Sequence, residues 1–265
     1  NEYGKICGNY SLWSNLTIFW GCGTNLHRSP YNARNHEYYS EDAVLTSGQA
    51  VAFISGGKEY GVIIAPKHLA FNDTEINRLG VSVFMTEQQA RENELRGTQA
   101  SIEDAGALGI MTAFNRVGIT AANAHTGLLK NILRGEWGFK GLESQDFIMN
   151  PNYAVLKEYA LNGGTMTTFT GENTMAAVSE KFAYWTTENV GQDTELMSAI
   201  KQAMTWQAYA LANSNALDGM ASSTRLVSVR TWYDNALVAV QVVFAALTVL
   251  AAAMYVLNDR KSKKQ

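Results

Sequence analysis

The chain has 265 residues, of which 46% are apolar and 17% charged, and a formal net charge of −3; that length and balance support a folded core and exclude a disordered polymer. Basic residues are scattered until the last few positions, so no electrostatic footprint for nucleic acid is present. Two cysteines, Cys7 and Cys22, allow one disulfide in an oxidising compartment but are too few for a disulfide framework and lack metal-ligand spacing.

In chain order, short apolar runs alternate with longer helical patterns, the grammar of an α/β protein with parallel strands. Strands are predicted at Leu16–Trp20, Val62–Ala65, Gly109–Ala113, Gly141–Gln145 and Thr165–Phe169. Thr86 with Gln89 three residues on makes a capping-box pattern for a helix that should run toward Asp104 and stop at Gly106. A second helix is predicted from His125 to Arg134, with Leu128, Leu129, Ile132 and Leu133 as its core stripe and Gly135 placed to end it. A third, from about Asp193 to Ala212, should carry Leu196, Met197, Ile200 and Met204 on one side. From Ala236 to Leu257 there is no charge; as a helix this stretch reaches roughly 33 Å at about 1.5 Å per residue, enough to cross a hydrocarbon core. Trp232 and Tyr233 precede it and Arg260, Lys261, Lys263 and Lys264 follow, which orients the basic end toward the cytoplasm and everything before the span outside.

Polar groups recur where predicted strands end, and in a (β/α) barrel that is the catalytic face. Asp146 follows Gly141–Gln145, Lys67 and His68 follow Val62–Ala65, and Asn115 with Arg116 follows Gly109–Ala113. A dense polar and aromatic run surrounds Arg34, from Tyr31 to Asp42, and reads either as a sugar site or as a solvated loop. No Gly-rich phosphate loop, zinc signature or nucleophile-elbow serine appears, and Gly56-Gly57-Lys58 is not a P-loop, so neither cofactor nor metal is implied.

Four ordered segments resemble glycoside hydrolase family 3, in its β-glucosidase-like branch: Arg34-Asn35-His36-Glu37-Tyr38-Tyr39-Ser40-Glu41-Asp42, Lys67 through Arg78, Met111-Thr112-Ala113-Phe114-Asn115-Arg116-Val117-Gly118, and Leu133 through Leu142 leading into Asp146. The resemblance spans about Ser14 to Ala221. It implies that Asp146 is the nucleophile attacking the anomeric carbon, that Arg34, Lys67 and His68 bind hydroxyls of the sugar, and that Met111 and Phe114 stand in the pocket wall. A retaining hydrolase also needs a second carboxylic acid about 5–5.5 Å from the nucleophile. In this branch that acid comes from an α/β sandwich domain, and members with inverted domain order would place it upstream of Asn1. The resemblance implies that the match begins near the family's third strand, so the family's sugar-binding aspartate of the first strands is expected outside the match. Glu143-Ser144-Gln145 departs from the aliphatic and small residues usual before the nucleophile, and a buried Glu143 would need a partner.

The expected architecture is therefore a partial (β/α)8 TIM-type barrel over residues 1–221, a linker over 222–234, a transmembrane helix over 235–258 and a basic cytoplasmic tail over 259–265. The expected function is hydrolysis of a β-glycoside at the cell membrane, by a single-pass protein with its catalytic part extracellular. The competing expectation is a non-catalytic, membrane-anchored carbohydrate-binding remnant of such an enzyme.

Overall fold

A computed structural model describes residues 1–78, 80–147, 155–168, 185–218 and 232–262. The chain divides into two compact units, Asn1–Asp218 and Gly219–Gln265.

In the first unit, α1 (Glu2–Trp13) leads to β1 (Ile18–Gly23), α2 (Ala43–Lys58) and β2 (Ile63–Leu69). Asp42 caps α2 by accepting from the Leu45 N–H at 2.6 Å. The crossing of α1 and α2 is tight because glycines line it: a Cβ on Gly4 would sit 2.1 Å from the Phe53 carbonyl oxygen, and one on Gly56 2.4 Å from that of Asn1. Gly56 therefore serves helix packing. Next come β3 (Ser82–Val83), α3 (Glu87–Gln89), a π-helical turn (Ala90–Glu94) and α4 (Arg96–Glu103). The Thr86 hydroxyl accepts from the Gln89 N–H at 3.2 Å, as the sequence pattern asks, and Gly106 takes the left-handed φ that closes the segment. Lys58 reaches over to donate to the Ala105 and Gly106 carbonyls at 2.7 and 3.1 Å.

β4 (Gly109–Thr112) precedes β5 (Arg116–Val117) and β6 (Thr120–Ala121), and a π-helix, Gly127–Glu136, leads into β7 (Leu142–Gln145). The π-helix buries Leu128, Leu129 and Leu133 as predicted but passes through Gly135. Its stop is Gly138 at φ +59°, where the chain turns so that the Phe139 N–H reaches the Leu133 carbonyl at 3.1 Å. α5 (Leu156–Leu161), α6 (Thr187–Gln192) and α7 (Thr194–Ala212) complete the unit. α7 starts on Asp193, whose carboxylate accepts from the Leu196 N–H, and its buried positions are Leu196, Ala203 and Ala210; Met204, predicted on the same side, is 63% exposed.

The strands β1-β2-β4-β7 form a parallel sheet in that order, with Trp20 opposite Ala65, Lys67 opposite Met111 and Thr112 opposite Gln145. The predicted strand at Thr165–Phe169 reduces to one parallel bridge between Ser144 and Met166, with Phe169 outside the described residues. Among the described residues the sheet does not close. β3, β5 and β6 make a small separate sheet. Side chains of β4 alternate: Ile110 joins the helix-side core with Leu95, Leu129 and Leu133, while Met111 faces the opposite side. Cys7 and Cys22 are both buried in a neighbouring cluster with Phe53 and Ile54, as free thiols; burial pushes the Cys22 thiol up to about 12.

In the second unit α8 runs from Trp232 to Ser262, overlapping both the predicted linker and the predicted tail. Within Trp232–Leu257 an 18-residue stretch has a mean hydropathy of 2.4, and the helix is long and apolar enough to cross a membrane.

Candidate active site

Parallel strands deliver their C-terminal ends to one rim, and the loops there collect the charged side chains. A cleft of about 430 Å³ opens at this rim, lined by Trp20, Arg34, Glu37, Lys67, His68, Glu75, Arg78, Met111, Asp146, Phe147 and Thr168. Five of the six predicted site residues, Arg34, Lys67, His68, Met111 and Asp146, line it together. Phe114 does not. Its ring lies under the Arg78 guanidinium, 4.3 Å from the guanidinium carbon to the ring centroid, so it supports a cleft residue from behind. Asn115 and Arg116 also stay out of the lining; Asn115 is buried and donates to the Ala70 carbonyl at 2.9 Å. A second hollow of about 460 Å³ is lined by His125 and by the surface carboxylates Glu87 and Glu136, both paired with Arg91, and by none of the six predicted site residues.

β2 continues through Lys67 and His68, so these two residues sit within the strand and not after it. Its register with β4 shifts between Lys67 and Leu69, which accompanies the presence of two adjacent residues, Lys67 and His68, at the cleft. Arg34 comes from the loop between β1 and α2 and grips Glu37 in a two-pronged contact, Nε to Oε1 at 2.7 Å and Nη2 to Oε2 at 2.8 Å. Lys67 Nζ stands 3.0 Å from the same Oε2. The Arg34 hydrogen bonds, aided by Lys67, hold the Glu37 carboxyl down to about 2 despite its burial. Glu75 links Arg34 at 3.5 Å to Arg78 at 3.0 Å. Behind the segment carrying Glu75 and Arg78, Arg28 pairs with buried Asp73 and, at 3.2 Å, with Glu94.

Asp146 follows β7 directly, its N–H donating to the Thr112 carbonyl at 3.2 Å and its Oδ1 accepting from the Phe147 N–H at 2.8 Å. Burial raises its carboxyl pKa; the Phe147 N–H, Arg78, Arg34 and Lys67 pull the other way without overcoming it. His68 has its pKa lowered well below the ordinary value, by burial first and then by Arg34 and Lys67.

Glu143 belongs to the opposite face. It pairs with Ile110 across the sheet and is fully buried toward the helices, where Thr112 Oγ1 donates to its Oε1 at 2.9 Å. Burial raises its carboxyl to about 7. Its carboxyl is therefore served by the hydroxyls of Tyr159 and of Thr112 one strand away, helped by the positive field of Arg134. Trp20, Glu37, Glu75, Arg78, Phe147 and Thr168 were not singled out from sequence; Glu37 carried a signal in its spacing of three from Arg34, as did Glu75 from Arg78.

Residues 6–179 match the glycosyl hydrolase family 3 N-terminal domain, well over half of the chain. The chain belongs to glycosyl hydrolase family 3. It is similar to probable beta-glucosidase J of Emericella nidulans, at 38% identity over 130 residues, covering 49% of this chain and 15% of that protein. A beta-glucosidase of Rhizobium radiobacter is 38% identical over 144 residues, covering 54% and 18% respectively. This chain thus spans less than a fifth of the length of these relatives in the matched part. The structure of beta-glucosidase 3B from Thermotoga neapolitana in complex with alpha-D-glucose superimposes with a TM-score of 0.73 at 26% identity, covering 82% of this chain and 30% of that one. The parallel α/β sheet is accordingly part of a TIM-like barrel fold.

Proposed function

We propose that the chain carries the nucleophile half of a retaining, exo-acting β-glucosidase-like hydrolase, with Asp146 as the nucleophile. The observation that supports this best is a single buried carboxylate on the strand rim, set in a cleft with the cations Arg34, Lys67 and Arg78 and the neutral donor-acceptor groups that a polyhydroxyl ligand requires. In the first step an Asp146 oxygen would bond to the anomeric carbon as the aglycone oxygen leaves with a proton from a general acid; in the second, water would displace Asp146 with that group acting as base.

That general acid is expected from outside the residues described. Of the other two carboxylates in the cleft, Glu37 is held ionised by Arg34 and Lys67, and Glu75 is engaged by Arg34 and Arg78. A sandwich domain is the expected source. Residues 1–221 would be the barrel portion and 235–258 a single membrane span with the site outside, a reading supported by the uncharged apolar length of Ala236–Leu257. An activated 2-deoxy-2-fluoro-β-glucoside tests the nucleophile, because the fluorine slows hydrolysis of the ester more than its formation. Peptide mass spectrometry should find the adduct on Asp146. Labelling at Glu75 or Glu37 instead, or an active preparation that takes no label, defeats the assignment.

A further inference from the structure

Asn25, in the loop after β1, is buried and has its amide orientation fixed by the backbone of His68. Its Nδ2 donates to the His68 carbonyl at 3.0 Å, and its Oδ1 accepts from the His68 N–H at 2.9 Å. Turning the amide over would set donor against donor and acceptor against acceptor, so the oxygen and nitrogen positions are not interchangeable. The same Oδ1 lies 3.2 Å from Nδ1 of the His68 ring. An oxygen whose lone pairs already receive one N–H can be satisfied there only by a second proton, carried on Nδ1. The ring is buried, and burial together with Arg34 and Lys67 disfavours the imidazolium, so it holds one proton and not two. On its far side Nε2 stands 3.5 Å from Asp146 Oδ2, beyond good hydrogen-bond range, as two facing acceptors would be.

We infer that Asn25 is a positioning residue that holds His68 as its Nδ1–H tautomer and leaves Nε2 a bare acceptor in the cleft, where it receives the proton of a ligand hydroxyl. The ligand part rests on the glycosidase reading above; the tautomer part does not. It gives His68 a selective role. Nε2 rewards a hydroxyl at one position of the ring and is left unmatched by a deoxy or methoxy group there, the kind of loss that discriminates strongly when a buried polar group goes unpaired.

Two-bond proton–nitrogen correlation on the uniformly ¹⁵N-labelled full chain reads the tautomer directly, with the His68 pattern identified by its loss in His68→Gln. At neutral pH His68 should show a pyrrole-like Nδ1 and a pyridine-like Nε2. A proton on Nε2, or on both nitrogens, overturns the inference. Asn25→Ala should move His68 toward the Nε2–H form, since Asp146 then offers the better acceptor, whereas Asn25→Asp keeps an accepting oxygen and should keep Nδ1–H. A merely structural Asn25 would leave the tautomer unchanged in both variants. If Asn25→Ala loses its circular dichroism signal, the wild-type spectrum and Asn25→Asp decide the matter. Added glucose should shift the Nε2 resonance upfield. If glucose moves the Trp20 indole signal but not Nε2, the acceptor role is wrong; if it moves nothing in the cleft, the sugar reading fails and the tautomer result stands.

Discussion

His68 Nε2 lies 3.5 Å from Asp146 Oδ2, and this contact is not an ion pair. Burial keeps the imidazole neutral and raises the carboxyl, so the Asp146 anion depends on the Phe147 N–H and on the fields of Arg78, Arg34 and Lys67. A carboxyl in that position is harder to ionise than a free one, and the cations beside it decide how readily it does so.

Asp146→Asn should reduce hydrolysis of aryl β-glucosides by an active preparation by roughly 10³-fold or more, because the covalent step is lost outright. Glucose affinity should change only a few-fold, as the hydroxyl contacts are expected from Arg34, Lys67 and His68. Steady-state kinetics and calorimetry give the two numbers. Activity within tenfold of wild type would remove Asp146 from the mechanism.

Glu37→Gln tests the charge network that shapes the cleft. The carboxylate is bound in two places by Arg34 and in one by Lys67, and replacing it removes the counter-charge of Lys67 and leaves Arg34 only its longer contact with Glu75. Loss of charge-assisted hydrogen bonds of this kind costs about 1.5–3 kcal/mol, so glucose binding should weaken roughly 10- to 100-fold as Arg34 loses its fixed pose. Calorimetric titration reads it, and unchanged affinity would show that Glu37 does not organise the cleft.

The contribution of Glu143 to stability should fall as pH rises from about 4.5 to about 7, opposed by that of His68, whose pKa burial lowers. Burial raises the Glu143 carboxyl from 4.5 to about 7, so between those values the folded chain holds a proton that the unfolded chain has released. The contribution is full below the unfolded value and lost as pH climbs through the folded one, about 3 kcal/mol for such a shift. Glu94, also raised to about 7 by burial, acts in the same direction. Glu143→Gln should therefore flatten part of the pH dependence of Tm and leave the Glu94 part. A slope identical to wild type would mean that Glu143 titrates normally.

Arg134 is expected to hold the turn before β7 in place. It donates to the carbonyls of Phe139, Gly141 and Gly163 at 2.7 to 3.1 Å and stacks over Trp206, 3.8 Å from the ring centroid. Arg134→Met keeps the apolar stem but leaves those carbonyls without their donor, and should destabilise the fold by about 3 kcal/mol, read as a lower urea midpoint. A change below about 0.5 kcal/mol would place the anchoring elsewhere.

α8 should partition the protein into membranes. The full chain should remain with the lipid fraction after carbonate washing, and a C-terminal tag should resist protease in intact cells while residues before Trp232 are digested. Release by carbonate would defeat the span, and digestion of the tag from outside would reverse its orientation.

Local chemistry wrote much of this molecule into its sequence. Short apolar runs marked the four paired strands to within a few residues, Thr86 and Asp193 marked helix starts through caps that need only their own neighbours, and Asp146 was legible because a charged residue directly after a buried strand has to emerge at the sheet's rim. What depended on approach in space was not legible. Gly135 looked like a helix stop, yet the left-handed turn fell at Gly138, where the chain doubles back onto β7. Met204 fitted the helical stripe by spacing and is exposed, since the buried positions of α7 are Leu196, Ala203 and Ala210. Phe114 stood in the right motif but passed its cleft position to Arg78, whose guanidinium covers it. The partner of Glu143, the clamp of Asn25 on His68 and the sharing of Glu37 between Arg34 and Lys67 join residues on different strands and loops; sequence sets which groups exist, and the folded sheet alone sets which of them come within a hydrogen bond of one another.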